Sequence, residues 1–137
     1  MAIKKLDHIG IIVNDLNQAI QQYEYVLGLK LNRIEDYGEG LLKIAFFSLG
    51  DVLIELIQPL KEGSSAWDFL HHHGEGVEHI AFEVENIDSE LTTLIEKKVP
   101  LHNKIPKPGA GGADIAFLKR TALNGVLGEF VSHQKIR

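Results

Sequence analysis

The amino-acid sequence predicts an α+β protein built from two β-α-β-β-β modules related by a pseudo-twofold and forming a cupped mixed sheet. Three observations predict it. Leu6-Asp7-His8-Ile9-Gly10-Ile11-Ile12-Val13 recurs as Val77-Glu78-His79-Ile80-Ala81-Phe82-Glu83-Val84, with an offset of 71 residues between His8 and His79. Val52-Leu53-Ile54-Glu55-Leu56-Ile57 recurs as Val126-Leu127-Gly128-Glu129-Phe130-Val131, with an offset of 74 between Glu55 and Glu129. Between those landmarks, each half carries one stretch of helical period and several strand-like runs. A repeat at half the chain length means two copies of one unit, too few for a solenoid. A chain of 137 residues buries a core of ordinary size. The expected organisation is therefore a single domain over 1–137, with modules at about 5–60 and 76–133 and a linker at 61–75.

The elements follow in order. Residues 6–13 are rich in Ile and Val and read as a strand. Asn14 or Asp15 caps a helix whose apolar positions are Leu16, Ala19, Ile20, Tyr23, Val26 and Leu27, and Gly28 suits the residue just past its end. Leu29–Ile34 is a second strand, and Asp36-Tyr37-Gly38-Glu39-Gly40 a turn. Leu41–Leu49 and Val52–Gln58 are strands joined by a Gly50-Asp51 hairpin. Lys61-Glu62-Gly63-Ser64-Ser65 is the best linker candidate, and Ala66–Leu70 a short helix running into His71-His72-His73. Adjacent helical residues point in different directions, so these three histidines read as a solvated helix end rather than one metal site. In the second half, Val77–Val84 is a strand. Asn86 or Asp88 caps a helix presenting Ile87, Leu91, Leu94 and Ile95. Leu101–Ile105 is a short strand candidate, 106–112 a loop, and Ile115–Lys119 and Gly125–Ser132 the closing strands around an Asn124-Gly125 turn.

Composition narrows the function. Hydrophobic residues make up 45% and charged ones 24%, which excludes disorder. No apolar run approaches the ~20 residues of a membrane span. Met1-Ala2-Ile3-Lys4-Lys5 leads into no apolar signal core, so a cytoplasmic protein is expected. A net charge of −5 without a basic stripe argues against nucleic acid. There is no cysteine, so any metal must be held by His and carboxylates.

The repeated His and Glu residues supply such a set. Glu55 shares a strand face with Leu53 and Ile57, so it points into apolar surroundings, where a lone carboxylate is costly unless paired or bound to a cation. Glu129 is in the same position. Gly10 and Ala81, the next residues on the faces of His8 and His79, leave room beside each imidazole. A single strand His is ordinarily just packed, and a single strand Glu belongs to an edge or an ion pair. Four such residues repeating in register point instead to a two-nitrogen, two-oxygen divalent metal site formed by His8, Glu55, His79 and Glu129.

The chain resembles the vicinal oxygen chelate (glyoxalase) superfamily, and within it the methylmalonyl-CoA epimerase family. The resemblance rests on Leu6–Gly10, Ile54-Glu55-Leu56-Ile57-Gln58-Pro59-Leu60, Gly74-Glu75-Gly76-Val77-Glu78-His79-Ile80-Ala81-Phe82-Glu83-Val84, Pro106–Ala113 with Ile115–Leu118, and Asn124–Glu129. It implies the same four ligands, a divalent Co, Zn, Mn or Ni ion, a small-molecule acyl-CoA substrate and a homodimer. The implied reaction is C2 epimerisation of methylmalonyl-CoA through a metal-stabilised enolate, with Glu129 moving a proton. Some epimerases carry a further Glu as base. The corresponding position falls near Lys43, and Glu39 is the nearest carboxylate. Gly109, Gly111 and Gly112 form a loop whose backbone N–H groups are candidates for holding the substrate carboxylate or the CoA portion. Gly128 and Phe130 depart from the family pattern beside the fourth ligand. Two alternatives stay open: a lactoylglutathione lyase-type glyoxalase, against which Arg120–Gly125 replaces the usual Asp-Pro-Asp-Gly turn, and a non-catalytic ligand-sequestering protein.

Overall fold

The computed structural model describes residues 3–133. Its elements are β1 (Ile3–Ile12), α1 (Leu16–Leu27), β2 (Leu31–Tyr37), β3 (Leu42–Leu49), β4 (Val52–Pro59), α2 (Ser65–His73), β5 (Gly76–Val84), α3 (Ile87–Glu96), β6 (Lys107–Pro108), β7 (Asp114–Phe117) and β8 (Leu127–Ser132). Among the described residues two compact units are present, 8–78 and 3–7 with 79–133.

In the unit His8–Glu78 the strand order is β2-β3-β4-β1. β1 runs parallel to β4, and the β2-β3 and β3-β4 pairs are antiparallel. α1 covers one sheet face. Its Leu16, Ala19 and Ile20 pack with Val13, Ala45, Phe47 and Leu56. Burial of each large side chain there stabilises by at most about 1.5–3 kcal/mol. Asp15 is the cap, its carboxylate accepting from the Gln18 N–H, and Gly28 ends the helix in the left-handed region at φ 67°. The Leu16 N–H donates to Gln58 Oε1, which ties the start of α1 to the end of β4. Ser64 caps α2 through the Trp67 N–H.

In the other unit the order is β5-β8-β7-β6, with β5 parallel to β8 and the rest antiparallel. α3, capped by Asn86, packs Ile87 and Leu91 against Val84, Ala116, Leu118 and Phe130. The two units share their internal register. Gly10 pairs with Glu55 and Phe46 with Glu55 in one; Ala81 pairs with Glu129 and Phe117 with Glu129 in the other.

The structure departs from the expected elements at several places: β2 runs on through Tyr37 into the expected turn, and Lys107–Pro108 of the expected loop pairs as β6. Leu101–Ile105 is not a strand; only an isolated bridge joins Leu101 to Leu118. Prolines flank the segment, and the Phe117 N–H donates to the Asn103 side chain instead of to a ladder carbonyl. Arg120–Leu123 winds as a turn of 3-10 helix, with Asn124 left-handed at φ 57°. Among the described residues, no helix is long and apolar enough to cross a membrane.

Candidate metal centre

His8 and Glu55 lie on neighbouring parallel strands, on the face opposite α1. His8 pairs with Leu53 and Gly10 with Glu55, so the imidazole and the carboxylate project from one side. Both are buried, and His8 Nδ1 is 3.2 Å from Glu55 Oε2. The same construction appears in the other unit. His79 and Glu129 are buried, His79 Nε2 is 3.2 Å from Glu129 Oε1, and the His79 ring meets the edge of Phe117 with centroids 5.6 Å apart.

A buried carboxylate needs a partner of opposite charge. An adjacent imidazole supplies one if it is protonated; a shared cation supplies it without a proton. Two donors each ~2.0–2.2 Å from one ion sit roughly 3–3.5 Å apart, so the spacing in each pair suits a shared divalent ion. The donors are borderline nitrogen and hard oxygen, the set that first-row divalent metals accept.

The remaining predicted site residues are placed as follows. Lys43 is exposed and pairs with Asp36 and Gln58. It therefore shares the face of Ala45 and Phe47, beneath α1, and not that of Glu55. Glu39 sits in the β2–β3 turn at φ 55°, exposed, its carbonyl accepting from Lys61 Nζ. The structure thus brings neither to the His8–Glu55 face. The Gly109 N–H is committed to Ala113 O at 2.8 Å, which removes it from the supposed ligand-binding set. A Cβ at Gly109 would come within 2.6 Å of Ile115 Cγ2, so this glycine serves close packing. Gly111 and Gly112 take φ 69° and 76° in the tight turn. Gly128 and Phe130 lie on the α3 face, away from Glu129: Phe130 belongs to the α3 core, and Gly128 leaves room for Leu123, which a Cβ would meet at 2.6 Å. Their departure from the family pattern is one of packing and leaves the His79–Glu129 face unchanged.

Residues not foreseen also lie on these faces. Arg33 pairs with Phe46, and its guanidinium carbon stands 3.8 Å above that ring. Arg33 Nη1 is 3.0 Å from Glu35 Oε1. Across the other sheet, Lys107 Nζ stands 5.7 Å from the centroid of Phe117, the partner of Glu129. Arg33 lies within the strand expected over Leu29–Ile34, whereas Glu35 lies beyond its expected end, in a β2 that runs to Tyr37.

His71, His72 and His73 are exposed at the end of α2. His71 and His72 hydrogen-bond back to the carbonyls of Trp67 and Asp68, and His71 and His73 stack on Trp67 and Phe69. They form the solvated helix end expected. On α1, burial, and secondarily the charge of Glu75, pushes the Tyr23 hydroxyl above its ordinary value.

The sequence pattern of the glyoxalase/bleomycin resistance protein/dioxygenase superfamily matches residues 7–117. The chain is 40% identical over 127 residues to the uncharacterized protein YqjC of Bacillus subtilis, covering 93% of this chain and 91% of that one. It is 36% identical to the ethylmalonyl-CoA/methylmalonyl-CoA epimerase of Cereibacter sphaeroides, covering 93% and 96% respectively. Among solved structures, a variant of the Streptomyces coelicolor methylmalonyl-CoA epimerase in complex with 2-nitronate-propionyl-CoA superposes with a TM-score of 0.92 at 28% identity, covering 98% of this chain and all of that one. With this fold and these paired histidines and glutamates, the chain belongs to the glyoxalase/bleomycin resistance/dioxygenase superfamily and, within it, to the methylmalonyl-CoA epimerase family.

Proposed function

We propose that the protein epimerises methylmalonyl-CoA at C2, using a divalent ion held by His8, Glu55, His79 and Glu129. The observation that carries this reading is the shared register: each unit sets one buried His 3.2 Å from one buried Glu on neighbouring parallel strands. The epimerase relatives and an acyl-CoA complex of one of them support the substrate class.

The reaction removes a proton α to a thioester carbonyl and returns one to the other face. When bound, the ion supplies Lewis-acid stabilisation for negative charge growing on the thioester oxygen. The chain's own residues do the rest. His8 and His79 offer neutral nitrogens, and Glu55 and Glu129 neutralise the ion's charge so that it binds firmly. Apolar neighbours such as Phe46, Ile44 and Ile57 keep water from competing. In this reading Glu129 moves the C2 proton. Lys43 and Glu39 lie off the His8–Glu55 face, so Lys43→Ala and Glu39→Gln should each change turnover less than ~3-fold.

The test is deuterium incorporation at C2 of methylmalonyl-CoA in D₂O, followed by mass spectrometry, with metal-loaded and metal-stripped protein. Exchange by the loaded protein alone is the expected result. Turnover of the methylglyoxal–glutathione hemithioacetal without C2 exchange would replace this reading with the glyoxalase one. Metal binding without either reaction would favour ligand sequestration.

A further inference from the structure

The row of side chains beside Glu55 ends in a cation with no part in holding metal. Arg33, Phe46, Glu55 and Gly10 face one another across four consecutive strands. Residues opposite in a sheet project from the same side, and strands lie about 4.8 Å apart. The Arg33 backbone is therefore two strands, about 10 Å, from that of Glu55. Its guanidinium does not extend outward. Its central carbon stands over Phe46, 3.8 Å from the ring centroid, which brings it to roughly one strand spacing from Glu55.

Two contacts hold it there. The Phe46 ring, almost wholly buried, carries it from below, and Glu35 accepts from Nη1 at 3.0 Å. A guanidinium has five N–H donors in a planar fork, and one carboxylate oxygen at Nη1 leaves most of the fork for a further acceptor. The Arg33 side chain is 46% exposed, so the fork is reachable from solvent. The motif has a counterpart in the other unit, where Lys107 stands over Phe117 beside Glu129. A cation on a Phe next to each predicted carboxylate ligand is tied to the ligands and not to one strand's composition.

We propose that Arg33 is the specificity-determining residue that binds the free carboxylate of the substrate. This deepens the epimerase reading and rests on it. The physical need is clear: a substrate that brings a second negative charge next to buried Glu55 is repelled unless a fixed cation offsets it. Position also selects the group. The free carboxylate is separated from the thioester carbonyl by one carbon, whereas the CoA diphosphate lies a whole pantetheine arm away. A cation one strand from a metal ligand therefore meets the carboxylate.

The experiment compares equilibrium dissociation constants of methylmalonyl-CoA and propionyl-CoA, which differ by that one carboxylate, for the metal-loaded protein and its Arg33→Met and Arg33→Lys variants. Arg33→Met should weaken methylmalonyl-CoA about 10–100-fold, as expected for loss of a charge-assisted bidentate contact, and propionyl-CoA less than ~2-fold. Arg33→Lys, which keeps the charge and loses the fork, should fall between. Equal weakening of both ligands would place Arg33 on the CoA portion and overturn the proposal. Unchanged binding of both would reduce Arg33 to a lid on Phe46 and overturn it equally. C2 exchange measured on the same wild-type sample separates the two readings: its absence, beside a selective loss of methylmalonyl-CoA binding in Arg33→Met, would sink the epimerase assignment and leave the carboxylate site standing.

Discussion

The two units are alike in their His–Glu pairs and unlike in what surrounds them. Each has a buried His and Glu 3.2 Å apart, a small residue opposite the Glu on one side and a Phe on the other. Beyond the Phe they diverge. In the unit His8–Glu78 the outer strand β2 is seven residues long and presents Arg33, stacked at 3.8 Å and ion-paired. In the other unit the corresponding strand β6 has two residues, and its Lys107 stands 5.7 Å from the ring. The repeat has kept the inner rows, where register decides the chemistry, and has let the outer rows specialise. One unit carries a fixed, planar cation suited to a carboxylate; the other carries a flexible point charge beside a close-packed loop.

This comparison can be broken most severely at the shared part. His8→Ala and His79→Ala should each reduce C2 exchange by at least ~100-fold, because loss of any one ligand weakens both the ion's hold and its orientation. A variant of one unit that keeps full activity would show that the half-sites are not equivalent. Removing the ion is the next largest effect. With saturating metal near ~100-fold above its dissociation constant, binding adds about 2.7 kcal/mol, so chelation at neutral pH should lower Tm by roughly 5–15 °C. An unchanged Tm in calorimetry would mean that the glutamates need no cation.

The outer rows predict a graded difference. Lys107→Met should raise KM for methylmalonyl-CoA only ~2–5-fold, well below the effect of Arg33→Met, since a loosely held cation contributes like an exposed charge. Steady-state kinetics on the two variants ranks them; a larger effect at Lys107 would reverse the assignment of roles. The smallest effect concerns Tyr23. Its folded pKa lies above the unfolded value of 10.0, so the fold favours the protonated phenol. That contribution is complete below pH ~10 and is lost as pH rises through the folded pKa. Alkaline unfolding should therefore steepen above pH ~10, and Tyr23→Phe should remove part of the slope.

Much of this was legible in the chain. The His and Glu repeats located the four strands that pair in parallel, and the two-residue alternation fixed which face each His and Glu occupies. Asp15, Gly28 and Asn86 marked helix ends through their side-chain and backbone chemistry. The weaker readings came where local pattern competes with tertiary contact. Leu101–Ile105 has apolar ends like a strand, yet a side-chain amide took over the Phe117 N–H. Lys43 was matched to the family's base position by resemblance, and only the pairing with Gln58 shows which face it occupies. Gly128 and Phe130 adjoin Glu129 in sequence, yet immediate neighbours on a strand point to opposite faces. Arg33 was missed because nothing in a single strand reveals that a long side chain folds back over the ring of its neighbour.

The central claim is that both half-sites serve one ion. It is tested most directly by counting metal per chain with native mass spectrometry after reconstitution with Co²⁺. One ion per chain is predicted for the wild type, falling to none in either His8→Ala or His79→Ala. Two ions per chain, each lost separately in one variant, would contradict the account, because each His–Glu pair would then be a site of its own.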